Sequence, residues 1–467
     1  MTFLIAALTY ALHPVRLPTG WSVAIPPYRS VANETRPPFV ATMARNGTVA
    51  VLLVRARDAL DVPRRLLVVR ANGTSTILRS ESPETTHAFQ RFGPIVCSTD
   101  SLCPYFENVA LARDGTPFVT LGFQFSGAYS GVSRAAFVWN GAWHVVPREK
   151  PPFKGAGKPY DSGNVSIAAA DTAANVAFVG DFANAFPAED VSLALADRHW
   201  MADVSGVEYG ADNIALGEGD ATAMRGEFVA GFDGGLKIVR DPSIPTVAIT
   251  WHCSRRGSVP GDSCTRSAEP GFGVAYGVDS RGNAVGDNEP ALGSAGSPIL
   301  WRDGKALQLS AGHGFAYAIS EDGTIVGVSD SRGFVANAHD TEPRARPLDE
   351  LIQNRGTRRV QTALGIADDG RILAFVVCED GKHELAVLVP LRATSSSHSP
   401  SRAGSGSRDL PRTMQQQYGA SMNSKVSCAG FDCSSLTSSL NSILVGLFTA
   451  HEAWMRRLRW TRKVYPE

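Results

Sequence analysis

Lysine is scarce in this chain: it supplies 8 of the 45 basic residues, and arginine the other 37. Neither sign of charge is in excess, because 45 Asp and Glu match those 45 cations. The balance excludes a generally nucleic-acid-binding surface, which needs a positive excess to displace counterions. It also excludes an acidic, disordered solvating chain. Charged residues reach only 19%, below the roughly 25% of an average soluble domain. The apolar run Phe3–Leu12 holds ten residues, too few to cross a bilayer. No GxSxG, HExxH, Walker or GxGxxG signature stands in its required context. No catalytic residue, metal ligand or cofactor site is therefore read from the sequence. Lacking as well is the CxxC spacing that zinc prefers.

The seven cysteines instead fall into three local pairs, Cys97/Cys103, Cys253/Cys264 and Cys428/Cys433, with Cys378 left over. Such pairs close short loops when oxidised, which points to an oxidising compartment. Cys378 follows the apolar run Ile372–Val377 and reads as a buried strand thiol.

What is abundant is glycine, 45 residues, and proline, 28. Turns are therefore plentiful and long helices few. The glycines mark a repeat. Its clearest copies are VAYGVDSRGNAVG from Val274, FAYAISEDGTIVG from Phe315 and ALGIADDGRILA from Ala363. Each reads as a strand, a polar turn ending in Gly, and a second strand, a strong hairpin signal. Weaker copies centre on Gly47, Gly115, Ala174 and Gly226. The seven anchors lie 68, 59, 52, 56, 41 and 47 residues apart, which suits four short strands and their loops per unit.

Five residues before each anchor stand Thr42, Ala110, Ala169, Ala221, Gly277, Ala318 and Gly365, all small. A strand with one small side suits the innermost position of a propeller blade, with the small side expected to face the central channel. The stretches AFVWNG from Ala136 and ILWRDG from Ile299 read as outer strands leading through a tight hairpin to the outermost one. These patterns predict an all-β fold, a seven-bladed β-propeller of four-stranded blades over about residues 20–391. The last copy ends one strand short after Pro390, and Trp21–Pro26 is expected to complete it.

The AYAISEDGTIVG pattern, the apolar-Trp-x-x-Gly strands and the ending HELAVLVP from His383 together resemble the bacterial extracellular HAF repeat. The resemblance is good over 273–390 and faint over 40–239. It implies a secreted propeller-like protein and carries over no catalytic residues. The tripeptide His87-Ala88-Phe89 itself lies outside the expected outer-strand position.

The chain ends differ from the repeat. Residues 1–19 read as a signal remnant, with Thr9-Tyr10-Ala11 as a small-x-small cleavage site; the alternative is a buried N-terminal strand. Residues 392–433 read as a flexible Ser/Gly/Pro-rich linker. Residues 434–467 read as a short amphipathic helix, with Leu440, Ile443, Leu444, Leu447 and Phe448 at helical spacing and a basic end. That end suits contact with an anionic membrane surface, or docking on the propeller.

In a four-stranded blade, the loops after the second strand lie opposite the hairpin glycines. Phe123, Phe125 and Tyr129, with Phe182 and Phe186, are therefore expected on one face as a binding surface, together with the Cys97/Cys103 and Cys253/Cys264 loops. The leading reading is a monomeric, secreted or periplasmic, non-catalytic binding or scaffold module for an extracellular polymer or protein. No cofactor, metal or nucleic acid is implied. One alternative is an enzyme acting on glycans through a central-channel site, which a cluster of Asp, Glu, His or Tyr at the channel mouth would favour. Another is a surface structural protein tethered by its basic tail.

Overall fold

The computed structural model describes residues 9–23, 41–55, 63–89, 104–125, 131–146, 164–172, 175–181, 198–203, 212–217, 220–233, 246–253, 264–288 and 296–391. All of them belong to one compact unit, Met1–Ser395, and Ser396–Glu467 forms a separate unit. The expected linker and amphipathic tail thus lie outside the described residues.

Short antiparallel strands make up nearly all of the fold. The chain opens with β1 (Thr9–Pro14) and β2 (Trp21–Val23). Next come β3 (Ala41–Met43), β4 (Val49–Arg55), β5 (Arg65–Val69) and β6 (Ser75–Arg79), followed by the short helix α1 (Pro83–Phe89). After α1 run β7 (Tyr105–Leu111), β8 (Pro117–Phe125), β9 (Gly131–Trp139) and β10 (Trp143–Val145). They lead to β11 (Asn164–Thr172), β12 (Asn175–Asp181), β13 (Arg198–Asp203) and β14 (Asp212–Gly217). The next four are β15 (Asp220–Arg225), β16 (Phe228–Asp233), β17 (Val247–Cys253) and β18 (Cys264–Ala268). Then follow β19 (Val274–Val278), β20 (Ala284–Asp287), β21 (Pro298–Arg302) and β22 (Lys305–Gln308). Last are β23 (Gly314–Ile319), β24 (Thr324–Ser329), β25 (Arg332–Asn337) and β26 (Arg346–Pro347), then β27 (Arg359–Ile366), β28 (Ile372–Val377) and β29 (His383–Leu391).

The strands form a β-propeller arrangement of small antiparallel sheets. Among the described residues the strands fall into six hydrogen-bonded sheets, rather than the seven blades that the anchors predict. The difference lies in one eight-stranded sheet, where β7–β10 and β11–β14 are joined by a single parallel residue pair, Asn164 with Arg134.

Ring closure follows the expected logic with a different segment. The last sheet runs β27-β28-β29-β1, so the N-terminal strand supplies its outermost member. That strand is Thr9–Pro14, not Trp21–Pro26. Trp21–Val23 instead pairs with β4 of the first meander, on the edge that β3 also uses. The innermost strand of that sheet is thus built from two separate stretches. Residues 9–12 of the apolar run are therefore strand, with Tyr10 and Leu12 buried. The outer edge of β1 is held too: Tyr10 N donates to Leu351 O at 2.8 Å, Gln353 N to Tyr10 O at 3.1 Å and Leu12 N to Asn354 Oδ1 at 2.8 Å.

The core sits between sheets, where apolar side chains of one meander meet those of the next. Ala230 and Ala248 meet Ala275, Ile299 and Trp301; Val285 and Leu300 meet Ala316, Ile325 and Phe334. Leu373 and Leu385 meet Val49, Val51 and Leu67, carrying the core back to the first meander. This geometry corrects the reading of the small-residue column. A Cβ on Gly277 would stand 3.1 Å from Ala318 Cα, and one on Gly365 3.4 Å from Met43 Cβ, each in the neighbouring meander. Both faces of an innermost strand pack on neighbouring sheets, and only its edge faces the axis. The residues are small because the wedge between sheets narrows toward the axis, not because they point into the channel.

The Cys253–Cys264 disulfide is formed. It links facing residues of β17 and β18, so its loop is a hairpin between the third and fourth strands. It lies at the end where the β15–β16 turn lies, shown by Cys253 N donating to Glu227 O. It is therefore not on the opposite face with the connections between meanders, as the spacing suggested; the outer strand begins at Cys264 itself. Cys97, Cys103, Cys428 and Cys433 lie outside the described residues.

Candidate functional site

One local structure recurs where the first strand of a meander turns into the second. In Ala44–Thr48, Ala44 N donates to Thr48 O and Gly47 N to Ala44 O, both within 2.9 Å. Ala112–Thr116, Asp279–Asn283, Ser320–Thr324 and Ala367–Arg371 make the same pair of bonds. The last turn residue must take positive φ, and Gly47, Gly115, Gly282, Gly323 and Gly370 do so at +80° to +85°. The Asn or Asp before most of these glycines locks the turn: Asn46, Asp114, Asp322 and Asp369 each accept the backbone N–H two residues on.

The position this turn leaves pointing at its neighbours carries Arg45, Arg113, Ser280, Glu321 and Asp368. Asp171, at a bulge in β11, and Arg225, at the end of β15, join them. These residues come from meanders far apart in sequence and converge at one end of the ring. Arg45 reaches three acids: Asp171 at 3.3 Å, Glu321 at 2.7 Å and Asp368 at 3.0 Å. Arg225 contacts Glu321 at 2.8 Å and Asp368 at 2.7 Å, and donates to Ile319 O at 2.6 Å. Asp171 Oδ2 accepts Gly226 N at 3.0 Å, and Ser280 Oγ donates to Glu321 at 2.6 Å. Backbone bonds knit the same turns, with Asp368 N on Arg45 O, Asn46 N on Arg113 O and Arg113 N on Asp171 O.

The cluster is half-sunk. The side chains of Asp171 and Arg225 are 5% and 7% exposed, while Arg113 is 61% exposed and only 4.0 Å from Asp368. Burial, with Arg45 beside it, pulls the Arg225 guanidinium below its ordinary value, and Glu321, Asp368 and Asp171 oppose that pull. Burial pushes the Glu321 carboxyl up most strongly as a single influence. The Ser280 hydrogen bond and the two guanidiniums together outweigh it and hold Glu321 below the ordinary carboxylate value. The arrangement is three cations against three anions, an ionised and internally matched plug. Among the described residues, no group of three or more His, Cys, Asp or Glu side chains is placed to hold a metal.

The aromatic candidates fare unevenly. Phe123 is not on a loop: β8 runs on to Phe125, and Phe123 is buried with its ring stacked on Phe89 at 5.5 Å. The pairing of β8 with β9 carries the strand through to Phe125, opposite Gly131. Phe125 is the last residue of β8. Tyr129, Phe182 and Phe186 lie outside the described residues, although the ends of the strands they join lie away from the hairpin turns. Sequence reading missed the ionic cluster. Its signal was a turn position bearing Arg, Arg, Ser, Glu and Asp in turn, blurred because Asp171 and Arg225 come from the strands β11 and β15 instead.

No family model matches the chain, and no curated protein matches it. Among solved structures it is similar to the endo-arabinase from Bacteroides thetaiotaomicron, at 10% identity over 80% of this chain and 99% of that one, with a TM-score of 0.25. It is also similar to the extracellular domains 1-2 of Drosophila Semaphorin 1b, at 8% identity over 75% of this chain and 84% of that one, with a TM-score of 0.24.

Proposed function

We propose that this chain is a secreted or periplasmic, non-catalytic binding or scaffold propeller of seven four-stranded blades, built from repeats of the HAF kind. Support for the blade count comes from the eight-stranded sheet. Phe118, Ala136 and Val138 of its first half pack against Ile167, Val176 and Phe178 of its second, as at the other meander boundaries. The Cys253–Cys264 disulfide supports an oxidising compartment.

The observation that carries the non-catalytic reading is the matched ionic plug. Glycoside hydrolysis needs one carboxyl that keeps its proton beside one that has lost it. Glu321 is instead held as an anion, and Asp171 and Asp368 are engaged by guanidiniums. A cluster so paired fastens the ring, and recognition falls to surfaces away from it. The test is a glycan and peptide array probed with the purified full chain, followed by product analysis on each hit. Saturable binding without turnover is expected; release of shortened glycan would overturn the reading in favour of an enzyme.

A further inference from the structure

The outermost strand of the first meander has an edge that nothing else in the described fold uses. β6 ends its sheet and pairs with β5 alone. Arg70 N donates to Thr74 O at one end of that ladder, and Ser80 N to Arg64 O at the other. Bonded and non-bonded pairs alternate along an antiparallel ladder. Thr76 and Leu78 therefore turn their backbone groups to β5, and Ser75, Ile77 and Arg79 turn theirs outward. Trp143 Nε1 meets one of these outward groups, donating to Arg79 O at 2.7 Å. The outward N–H and C=O of Ser75 and Ile77 meet none among the described residues. Their side chains are exposed as well. Ile77, at 45%, is one of two large apolar side chains so exposed among the described residues.

An exposed sheet edge is a template for another chain, and proteins blunt such edges with charge, proline, shortness or a cover. The other outermost strands show these devices. β1 is covered by residues 351–354, and β26 is two residues long and contains Pro347. β10 has three residues, β14 opens with Asp212 and β22 with Lys305. β18 carries Arg266 and is tied by the disulfide. The stretch Ser75-Thr76-Ile77 has none of them. It also matches a second copy of itself. Two such stretches, run antiparallel about a two-fold axis at Thr76, set Ser75 of each copy against Ile77 of the other. Each facing pair then exchanges both of its N–H···O bonds, and Ile77 loses its exposure. Arg79 comes beside Gly73, which offers neither bulk nor charge to oppose it. A two-fold interface needs a patch complementary to itself, and this edge is one.

We propose that the β6 edge is an interface between two copies of this chain, which pair Ser75–Ile77 antiparallel across a two-fold axis, in place of the monomer that the sequence reading expects. The seam is short, so the dimer is weak and reversible. The experiment is sedimentation velocity of the full chain over about a hundredfold range of concentration, in which monomer passes to dimer. Ile77→Pro removes an outward N–H and leaves the bonds to β5 in place, and Ile77→Lys sets a charge on the seam. Each raises the dissociation constant about tenfold or more and leaves the thermal midpoint of the monomer unchanged. Should both variants fold poorly, the register supplies a second test. Thr76 faces its own counterpart in the close, non-bonded position, within disulfide reach. Under mild oxidation Thr76→Cys therefore links two chains through that position, as mass spectrometry of the linked peptides shows. Ser75→Cys, which faces Ile77 instead, links far more slowly. A monomer at every concentration overturns the pairing, even if an array peptide binds at the edge. So does a dimer that ignores both Ile77 variants, or equal cross-linking at the two positions.

Discussion

Arg225 concentrates the energetics of the hairpin end in one side chain. It is nearly buried, ion-paired to two acids and hydrogen-bonded to a carbonyl. Removing one member of such a set leaves buried charge without its counter-charge, so Arg225→Met is expected to cost about 3 kcal/mol, read by urea unfolding. Glu321 gives the same cluster a pH signature. Its folded pKa lies below the ordinary value, so its contribution is full above the unfolded pKa and is lost as pH falls through the folded one. Acid titration of stability should therefore be steeper in the natural protein than in Glu321→Gln. Gly277 tests the wedge. An added methyl there meets Val285 Cγ2 at 3.0 Å and the backbone of Ala318 at 3.1 Å, so Gly277→Ala is expected to cost about 1–3 kcal/mol by prising two sheets apart. At this scale the sequence was half legible. Smallness at Gly277, Ala318 and Gly365 could be read, but the direction of a side chain on an innermost strand could not, because alternation alone does not say which side a neighbouring sheet covers.

Among the elements, the hairpins were the most legible, since a glycine at positive φ preceded by Asn or Asp leaves its mark in a single sequence. The type I′ turn at Asp303-Gly304, with φ of 52° and 68°, is one such mark. The closing strand was the least legible. Its apolar run suits a leader as well as a strand, and its partner stands at the other end of the chain. Backbone geometry supplies a sharp test. Tyr10 N and Leu12 N face the 351–354 segment, so the N–H of Ala11 faces β29. Ala11→Pro removes that bond and is expected to cost about 1–3 kcal/mol, seen as a lower thermal midpoint. The disulfide acts on a shorter range. Replacing Cys253 and Cys264 together by serine should lower stability by about 2–3 kcal/mol, and the unaltered protein should lose about as much when reduced.

For the whole molecule, the compact unit ends at Ser395. Truncation after that residue is expected to leave the calorimetric transition of the ring unchanged. The same truncation tests the tail, because fractionation with vesicles of anionic lipid should lose any bound fraction only if residues 434–467 carried it. A shift in the transition would instead make the tail part of the fold. The pairing of Thr9 with Leu391 and of Pro14 with Ala386 has a further consequence, and it concerns time. β1 has no strand partner until nearly four hundred residues have followed it, so the ring stays open while that stretch of chain is being made. Contacts so distant in sequence form slowly. Until they do, the flank of β29 is an unpaired edge open to association with another chain. Closure is therefore the step at which a completed molecule stops being able to borrow a strand from its neighbour.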